Sequence, residues 1–198
     1  MDLNKASYNK IADRWAESRD KSFLSRLVLD FASKINPGGK ILDIGCGFGY
    51  ISKYLSDQGF RVTGIDISEN LLKKAIDQKI PNATFYLCDF FEFDPKEKYD
   101  GVIAFDSFFH FPKERQPEIY QIVSNWMNEG AYLLFTHGGE EGEKMGEIFG
   151  EKFYYSCLDT KEVHELLLRT RFEIAVSIEG YKEGDMDRDL VILAKKTK

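Results

Sequence analysis

Residues 41–49 read Ile41-Leu42-Asp43-Ile44-Gly45-Cys46-Gly47-Phe48-Gly49, an apolar strand pattern that runs into three alternating glycines and then into a helical pattern. The glycines allow the backbone to approach a ligand where a side chain would collide, and the following helix presents unpaired N–H groups. A glycine turn of this kind can also merely join a strand to a helix. The stretch predicts a strand–loop–helix unit whose role depends on its surroundings.

An acidic residue ends the next apolar run. Asp66 lies seventeen residues after Gly49, and a carboxylate there can accept hydrogen bonds from both hydroxyls of a ribose lying over the loop. A nicotinamide dinucleotide is the competing ligand, but its fingerprint needs a small residue where this chain has Tyr50. The pairing therefore predicts an adenosine-type ligand and weakens the dinucleotide alternative.

Asp89 closes the third apolar run and is followed by Phe90. Its carboxylate could accept a hydrogen bond from an exocyclic adenine amine, while Phe90 could pack on the ring. In the alternative interpretation, Asp89 simply caps the next turn.

Apolar runs and helical patterns alternate along the chain. Seven strands are predicted, over residues 40–44, 60–66, 83–88, 101–105, 131–136, 172–178 and 190–194, and helices are predicted over 50–55, 69–76, 118–127 and 160–168. Alternation of this kind indicates an α/β fold with a mostly parallel sheet. The last two strands have only the polar link 181–189 between them, which predicts a closing hairpin with an antiparallel edge strand.

The first 36 residues predict two helices, ended by the turn signal Asn36-Pro37-Gly38-Gly39. They could form a cap or lid. No repeat or low-complexity linker divides the chain, so we expect one domain over 1–198, with a helical cap over 1–36 and a core over 37–198.

Composition narrows the function classes. The formal net charge is -6, which argues against a surface that neutralises many nucleic-acid phosphates. Three scattered cysteines indicate a reduced protein without structural zinc, and no apolar run approaches the length of a membrane span. We therefore expect a cytoplasmic protein that binds neither nucleic acid nor membrane.

Together these residues resemble the class I S-adenosylmethionine-dependent methyltransferases, in particular the small methyltransferase-domain proteins that act on small molecules, over nearly the whole chain. The resemblance implies a Rossmann-like three-layer sandwich with an N-terminal helical cap, S-adenosyl-L-methionine as cofactor and S-adenosyl-L-homocysteine as product. In that family the glycine loop holds the methionine part, the acid after the second strand holds ribose, and the acid after the third faces adenine. By motif, the implied cofactor residues are Asp43, Gly45, Cys46, Gly47, Gly49, Asp66, Ile67, Asp89 and Phe90.

Two further segments extend the resemblance. Residues 99–110 are similar to the family's fourth-strand segment, whose main chain near Phe105 would meet the methionine amino group and whose His110 would border the acceptor pocket. Residues 8–15 resemble the family's tyrosine-containing cap, so that Tyr8 and Trp15 are expected to line the site.

Two departures limit the resemblance. Residues 106–109 lack the N/D-P-P-Y/F signature of enzymes that methylate the amino groups of DNA adenine or protein glutamine, so those acceptors are disfavoured. Arg171 precedes Phe172 where the family usually has a glycine before the sixth strand's phenylalanine.

Catalytic demands on such an enzyme are modest, because its sulfonium donor is already a good leaving group and alignment can supply roughly 7 to 11 kcal/mol. As a hypothesis, His110 is a general base or an orienting hydrogen-bond donor. Alternatively, it only shapes a pocket wall among Phe108, Phe109 and Phe111. His137 and His164 are expected to have structural or solvent roles, and no ligand spacing predicts a metal site.

Aromatic residues over 105–111 and 153–155 form either an apolar acceptor pocket or core. The glycine- and glutamate-rich stretch 138–151 has no predicted element, and its acidic run 140–143 is interpreted as a solvated loop, or as a mobile lid favouring a cationic acceptor.

The sequence thus predicts a methyltransferase acting on an unidentified small-molecule acceptor, as a monomer or homodimer. A non-catalytic S-adenosylmethionine-binding partner subunit and, less favoured, a NAD-dependent oxidoreductase are the alternatives.

Overall fold

The computed structural model describes residues 3–18, 25–139 and 141–198. Its helices are α1 (Leu3–Ser18), α2 (Arg26–Ser33), α3 (Tyr50–Asp57), α4 (Glu69–Asp77), α5 (Gln116–Trp126) and α6 (Thr160–Arg169). Its strands are β1 (Lys40–Ile44), β2 (Arg61–Asp66), β3 (Ala83–Leu87), β4 (Tyr99–Ala104), β5 (Met127–His137), β6 (Gly142–Ile148), β7 (Glu151–Cys157), β8 (Phe172–Glu183) and β9 (Met186–Lys196). Short 3-10 turns occupy Phe90–Glu92, Phe108–His110 and Lys113–Arg115.

Seven strands form one sheet in the order β3-β2-β1-β4-β5-β9-β8. Strands β1 to β5 pair in parallel, and β9 runs antiparallel to both β5 and β8. The predicted mostly parallel sheet with a closing hairpin is therefore confirmed, with the antiparallel strand β9 lying between β5 and the outermost strand β8. The carboxyl ends of β1, β2 and β4 meet at one edge, where a ligand can reach all three.

Helices cover both faces of the sheet, as alternate residues of each buried strand require. On one face Leu42 belongs to a buried cluster with Tyr120 of α5 and Val163 of α6. On the other, its neighbour Ile41 is buried with Phe31 of α2. The expected three-layer arrangement is confirmed.

The two predicted N-terminal helices are present but have different positions. Helix α2 is part of a sheet-covering layer, whereas α1 lies across the carboxyl edge and packs against α4 and β7. Asn9 fixes one side of α1 by accepting hydrogen bonds from Ser68 Oγ at 2.8 Å and Asn70 N at 3.0 Å. On the other side Ser7 Oγ donates to the carbonyl of Lys152 in β7 at 2.6 Å. Helix α1 is thereby tied to both sides of the edge it covers.

Strands β6 and β7 form a separate antiparallel hairpin that the sequence analysis did not predict. The interpretation of 140–143 as a loop is wrong for Gly142 and Glu143, which lie in β6, while Glu140 lies outside the described residues. The side chains of β6 are all exposed or half-buried, so its sequence has no alternating apolar pattern. In β7, by contrast, Phe153 is fully buried and anchors the hairpin.

The connection between the last two strands is also shorter than predicted. Strand β8 continues to Glu183 and β9 begins at Met186, so most of the supposed link 181–189 is paired strand, with Tyr181 opposite Arg188. Because the residues in this exposed part of the hairpin are mostly polar, the sequence has no apolar pattern there that would predict strands. The extended hairpin reaches the same edge as α1. Within the described ranges, no helix is long and apolar enough to cross a membrane.

Candidate cofactor and acceptor site

A cavity of about 540 Å³ opens at the carboxyl edge of the sheet, within the size range of small-molecule sites. The loop after β1 contributes Gly45 and Gly47, and the end of β2 contributes Asp66. Helix α1 covers it with Tyr8 and Trp15. Predicted cofactor residues that line the cavity are Tyr8, Trp15, Asp43, Gly45, Cys46, Gly47, Asp66, Ile67, Phe90 and Phe105, and His110 lines it as well.

The glycine loop takes a backbone path that side chains would block. Gly45, Gly47 and Gly49 have φ values of 72°, 55° and 81°, in the left-handed region that favours glycine. A Cβ on Gly45 would lie 2.6 Å from the Cβ of Ser107. Around Gly47 no atom lies within 4 Å of such a Cβ, so this part of the backbone faces open space. The loop thus presents bare main chain to the cavity.

Asp66 is connected directly to this loop. Its Oδ2 accepts a hydrogen bond from Gly47 N at 2.8 Å, and its Oδ1 accepts one from Ser68 N at 2.7 Å. Burial raises the pKa of Asp66 to about 6, against the effect of these backbone donors. A carboxylate can accept about four hydrogen bonds, so Asp66 retains acceptor capacity for a ligand hydroxyl beside its backbone donors.

A second carboxylate, that of Asp43 in β1, lies just before the glycine loop. Asp43 is 2% exposed and accepts a hydrogen bond from Ser52 Oγ of α3 at 2.6 Å. Burial and, to a smaller extent, the charge of Asp66 raise its pKa to about 7, against the effect of the hydrogen bond from Ser52. A cationic ligand in the cavity would favour the ionised form of both carboxyl groups.

Two predicted cofactor residues are not among those lining the cavity, namely Gly49 and Asp89. Asp89 Oδ1 accepts from Phe91 N at 2.8 Å and so caps the turn Phe90–Glu92, the alternative that the sequence left open. Gly49 is the N-cap residue before α3, and a Cβ there would meet that of Ala75 at 3.0 Å. In this part of the site, Cys88 and Phe90 border the cavity instead.

His110 is held on both ring nitrogens. Its Nε2 lies 2.8 Å from the hydroxyl of Tyr8, while its Nδ1 lies 3.0 Å from the carbonyl of Tyr154 and 3.1 Å from the side-chain amide of Asn4. In one tautomer Nδ1–H donates to the carbonyl and Nε2 accepts from Tyr8. In the other, Nδ1 accepts from Asn4 and Nε2 donates to Tyr8. Either way, the hydroxyl of Tyr8 is the group that His110 polarises at the cavity.

Sequence reasoning missed an ion pair in the cavity wall, between Asp106 after β4 and Arg188 of β9. The guanidinium Nε and Nη2 donate to the two carboxylate oxygens, and Thr136 Oγ1 donates to Oδ1 at 3.1 Å. Asp106 has a φ of 61°, uncommon for a residue with a side chain. No local signal identifies a pair separated by 82 positions.

The aromatic residues are divided between the two predicted roles. Phe105, Phe111 and Phe90 line the cavity, whereas Phe108 and Phe153 are fully buried in the core.

The other two histidines contact protein groups away from the cavity lining. His137 Nε2 lies 3.1 Å from Gln116 Oε1, and burial lowers its pKa. His164 Nε2 lies 2.9 Å from Ser177 Oγ. Within the described ranges, no three His, Cys, Asp or Glu side chains are grouped to hold a metal ion.

Comparison with known proteins gives the family. A family model described as a methyltransferase domain matches residues 15–148. A curated relative, the probable S-adenosyl-L-methionine-dependent methyltransferase TehB of Haemophilus influenzae, is 32% identical over 132 residues, which are 65% of this chain and 46% of the relative. The chain therefore spans about half the length of this relative.

Two solved structures share the fold. The 1,6-didemethyltoxoflavin-N1-methyltransferase of Burkholderia thailandensis, solved with its named substrate and S-adenosylhomocysteine, has a TM-score of 0.75 at 19% identity, covering 98% of this chain and 85% of that chain. The magnesium protoporphyrin IX methyltransferase of Synechocystis, with bound S-adenosylhomocysteine, has a TM-score of 0.76 at 20% identity, covering 98% of each chain. S-adenosylmethionine is the cofactor of this family.

The family match covers more than half of the chain, and the overall fold is similar to that of the solved neighbours. The resemblance expected from the glycine loop and Asp66 is confirmed. The chain belongs to the methyltransferase domain family, within the class I S-adenosylmethionine-dependent methyltransferases.

Proposed function

We propose that this protein transfers a methyl group from S-adenosylmethionine to a small-molecule acceptor. The observation that carries the proposal is the hydrogen bond from Gly47 N to Asp66 in the wall of one cavity, which joins the bare glycine loop to a carboxylate that retains acceptor capacity. In S-adenosylmethionine the ribose needs a hydrogen-bond acceptor such as Asp66, and the methionine part needs a neighbouring backbone surface without side chains, such as the glycine loop.

The residues present fit the cofactor. Asp66 would accept from the ribose hydroxyls, and the main chain of Gly45 and Gly47 would lie against the methionine part. Ser107 Oγ is buried next to Gly45 and has no hydrogen-bond partner among the described residues. A ligand that reaches this hydroxyl would satisfy a group whose isolation otherwise costs about 1–3 kcal/mol.

We assign the acceptor to the part of the cavity under α1. Phe111 supplies an apolar surface there, and the Tyr8 hydroxyl is a polar anchor held by His110. Arg188 offers guanidinium hydrogens beyond those donated to Asp106 and to the carbonyl of Asp187. The solved neighbours are named for a toxoflavin precursor and a magnesium porphyrin, and a planar acceptor of modest size is the class we favour for this chain.

The cofactor supplies an activated methyl group, so the chain's own residues chiefly bind and orient. Helix α1 excludes water from above, and ordering acceptor and donor can supply roughly 7 to 11 kcal/mol of the barrier. For a hydroxyl acceptor, Tyr8 and His110 would receive the proton through their mutual hydrogen bond. We further propose that the protein acts in the cytoplasm, without nucleic acid, as a monomer or homodimer.

Calorimetric titration with S-adenosylmethionine, S-adenosylhomocysteine and NAD tests the proposal. We expect micromolar binding of the first two and none of NAD. Asp66→Ala should weaken that binding about 10- to 150-fold, because charge-assisted hydrogen bonds contribute roughly 1.5 to 3 kcal/mol. The matched control is Asp57→Ala, since Asp57 is exposed and its one ion pair within the described residues is with Lys53.

A subsequent acceptor screen decides between catalysis and binding. Methyl transfer to any planar small molecule supports the proposal, whereas tight cofactor binding with no turnover across the screen would favour the non-catalytic partner subunit. Binding of NAD alone would overturn both.

A further inference from the structure

A second concavity, of about 410 Å³, lies at the opposite edge of the sheet from the cofactor cavity. Lys98 immediately precedes β4 and Arg171 precedes β8, so both stand at the amino ends of these strands. Lys196 ends the antiparallel strand β9 and therefore reaches the same edge. The two cavities are separated by the length of the sheet.

The second cavity is cationic in an otherwise acidic chain. Its lining includes Lys98, Arg169, Arg171 and Lys196, and no acidic residue. The whole chain has 27 Lys and Arg against 33 Asp and Glu. A solvated surface of average composition would mix both signs, so this lining is a local concentration of positive charge.

The cations in this cavity differ in how they are held. Lys196 is 8% exposed, and its Nζ donates to the carbonyls of Ser124 at 2.5 Å and Met127 at 2.9 Å, at the end of α5. Lys98 and Arg171, in contrast, make no side-chain hydrogen bond or ion pair within the described part of the chain. Burial lowers the pKa of Lys196, and the charges of Lys98 and Arg171 lower it further. The charge of Glu129 acts in the opposite direction, and Arg169 pairs with Glu165 at 3.2 Å, so Lys98 and Arg171 are the cations of this lining without an ion-pair partner among the described residues.

The backbone of Arg171 has an unusual conformation. Its φ is 68°, in the region that favours glycine, and Thr197 N holds it there by donating to its carbonyl at 2.8 Å. Glycine would adopt this conformation without a side-chain clash. An arginine in a strained position at the rim of a cationic cavity points to a role for its guanidinium.

We propose that this cavity is a binding site for a phosphoryl anion, a diphosphate group either free or on a nucleotide, separate from the methyl-transfer site. The guanidinium of Arg171 can donate two parallel hydrogen bonds to phosphate oxygens, and the ammonium groups of Lys98 and Lys196 supply positive charge. The side-chain amide of Asn125, whose oxygen accepts from Gln121 at 3.0 Å, retains its N–H donors for the rim. One compact cluster on a chain of net charge -6 suits a small anion rather than a long nucleic acid.

Titration of the full chain with inorganic pyrophosphate, at constant ionic strength in chloride, tests the site. Arg171→Gly and Arg171→Asn both remove the guanidinium while tolerating the positive φ. We expect saturable binding to the parent and at least about tenfold weaker binding to both variants, with unchanged or raised melting temperatures. Lys73→Gln, an exposed cation on α4 outside the cavity, is the matched control for net charge and should change affinity less than about twofold.

Saturation with S-adenosylhomocysteine should leave pyrophosphate binding intact, because the cavities lie at opposite edges. A parallel titration with ADP, with S-adenosylhomocysteine saturating the first cavity, identifies the source of the anion: tighter binding than pyrophosphate indicates a nucleotide, and equal or weaker binding indicates the free anion. No saturable binding, equal weakening by Lys73→Gln, or loss of binding with S-adenosylhomocysteine present would each overturn the proposal.

Discussion

Lowering the pH is predicted to weaken S-adenosylmethionine binding by titrating Asp66. Its pKa is raised to about 6 by burial, so about a tenth of the carboxyl groups are ionised one pH unit lower. The ionised form accepts the stronger, charge-assisted hydrogen bonds. If only that form binds ribose fully, the apparent affinity falls in proportion to its population, about tenfold between pH 7.5 and pH 5.

Asp43 determines the steepness of this dependence. Its pKa is raised to about 7, and a sulfonium ligand favours ionisation of a nearby carboxyl group. As the pH rises through the range below both pKa values, the logarithm of the dissociation constant should therefore fall. Its slope is about one per pH unit if only Asp66 titrates, and nearly two if both groups do. The affinity rises with pH in either case, because the ligand is expected to bind the ionised carboxylates and binding at a pH below their pKa values then releases protons.

Calorimetry in two buffers with different ionisation enthalpies measures both the affinity and the protons released. Asp66→Asn is the control variant, since its amide does not titrate and its pH dependence should retain at most the contribution of Asp43. A parent affinity that stays within about twofold over this pH range, with no proton release, would refute the assignment of Asp66.

Two further predictions test the loop and the acceptor end. Gly45→Ala should destabilise the fold by more than about 1–2 kcal/mol in thermal unfolding, because the new Cβ would lie 2.6 Å from that of Ser107 and φ is 72°. Gly180→Ala, with a φ of 60° and open space around its Cβ, measures the strain alone, and an equal loss in the two variants would contradict the close-approach argument. Tyr8→Phe should lower turnover while changing cofactor affinity less than about twofold, because it removes the hydroxyl bound to His110 Nε2. Equal turnover in variant and parent would show that the hydroxyl only fills the cavity wall.

The cofactor half of the site could be predicted because it is encoded locally. Parallel pairing aligns Ile44 with Ile65, so the loop after β1 and the acid at the end of β2 must meet. A strand pattern followed by glycines, and a second strand ending in an acid, are sufficient to place them together. The division of the chain into a cap over 1–36 and a core stays a prediction, although α2 packs on the sheet with the core helices.

The acceptor half depends on contacts between distant segments. Arg188 reaches Asp106 because the β8–β9 hairpin extends beyond its apolar residues. The extension is polar and has no hydrophobic pattern, so the sequence does not predict it. Strand β6 was missed for the same reason. For Asp89 the sequence allowed two roles, and only the hydrogen bond to Phe91 N reveals the turn cap.

Calorimetric titration of the purified chain and of its Asp66→Ala variant with S-adenosylmethionine and NAD tests whether the cavity at the carboxyl edge of the sheet is an S-adenosylmethionine site. We predict micromolar binding of S-adenosylmethionine to the parent, no binding of NAD, and at least about tenfold weaker binding of S-adenosylmethionine to the variant. Unchanged affinity in Asp66→Ala, or binding of NAD alone, would contradict this assignment.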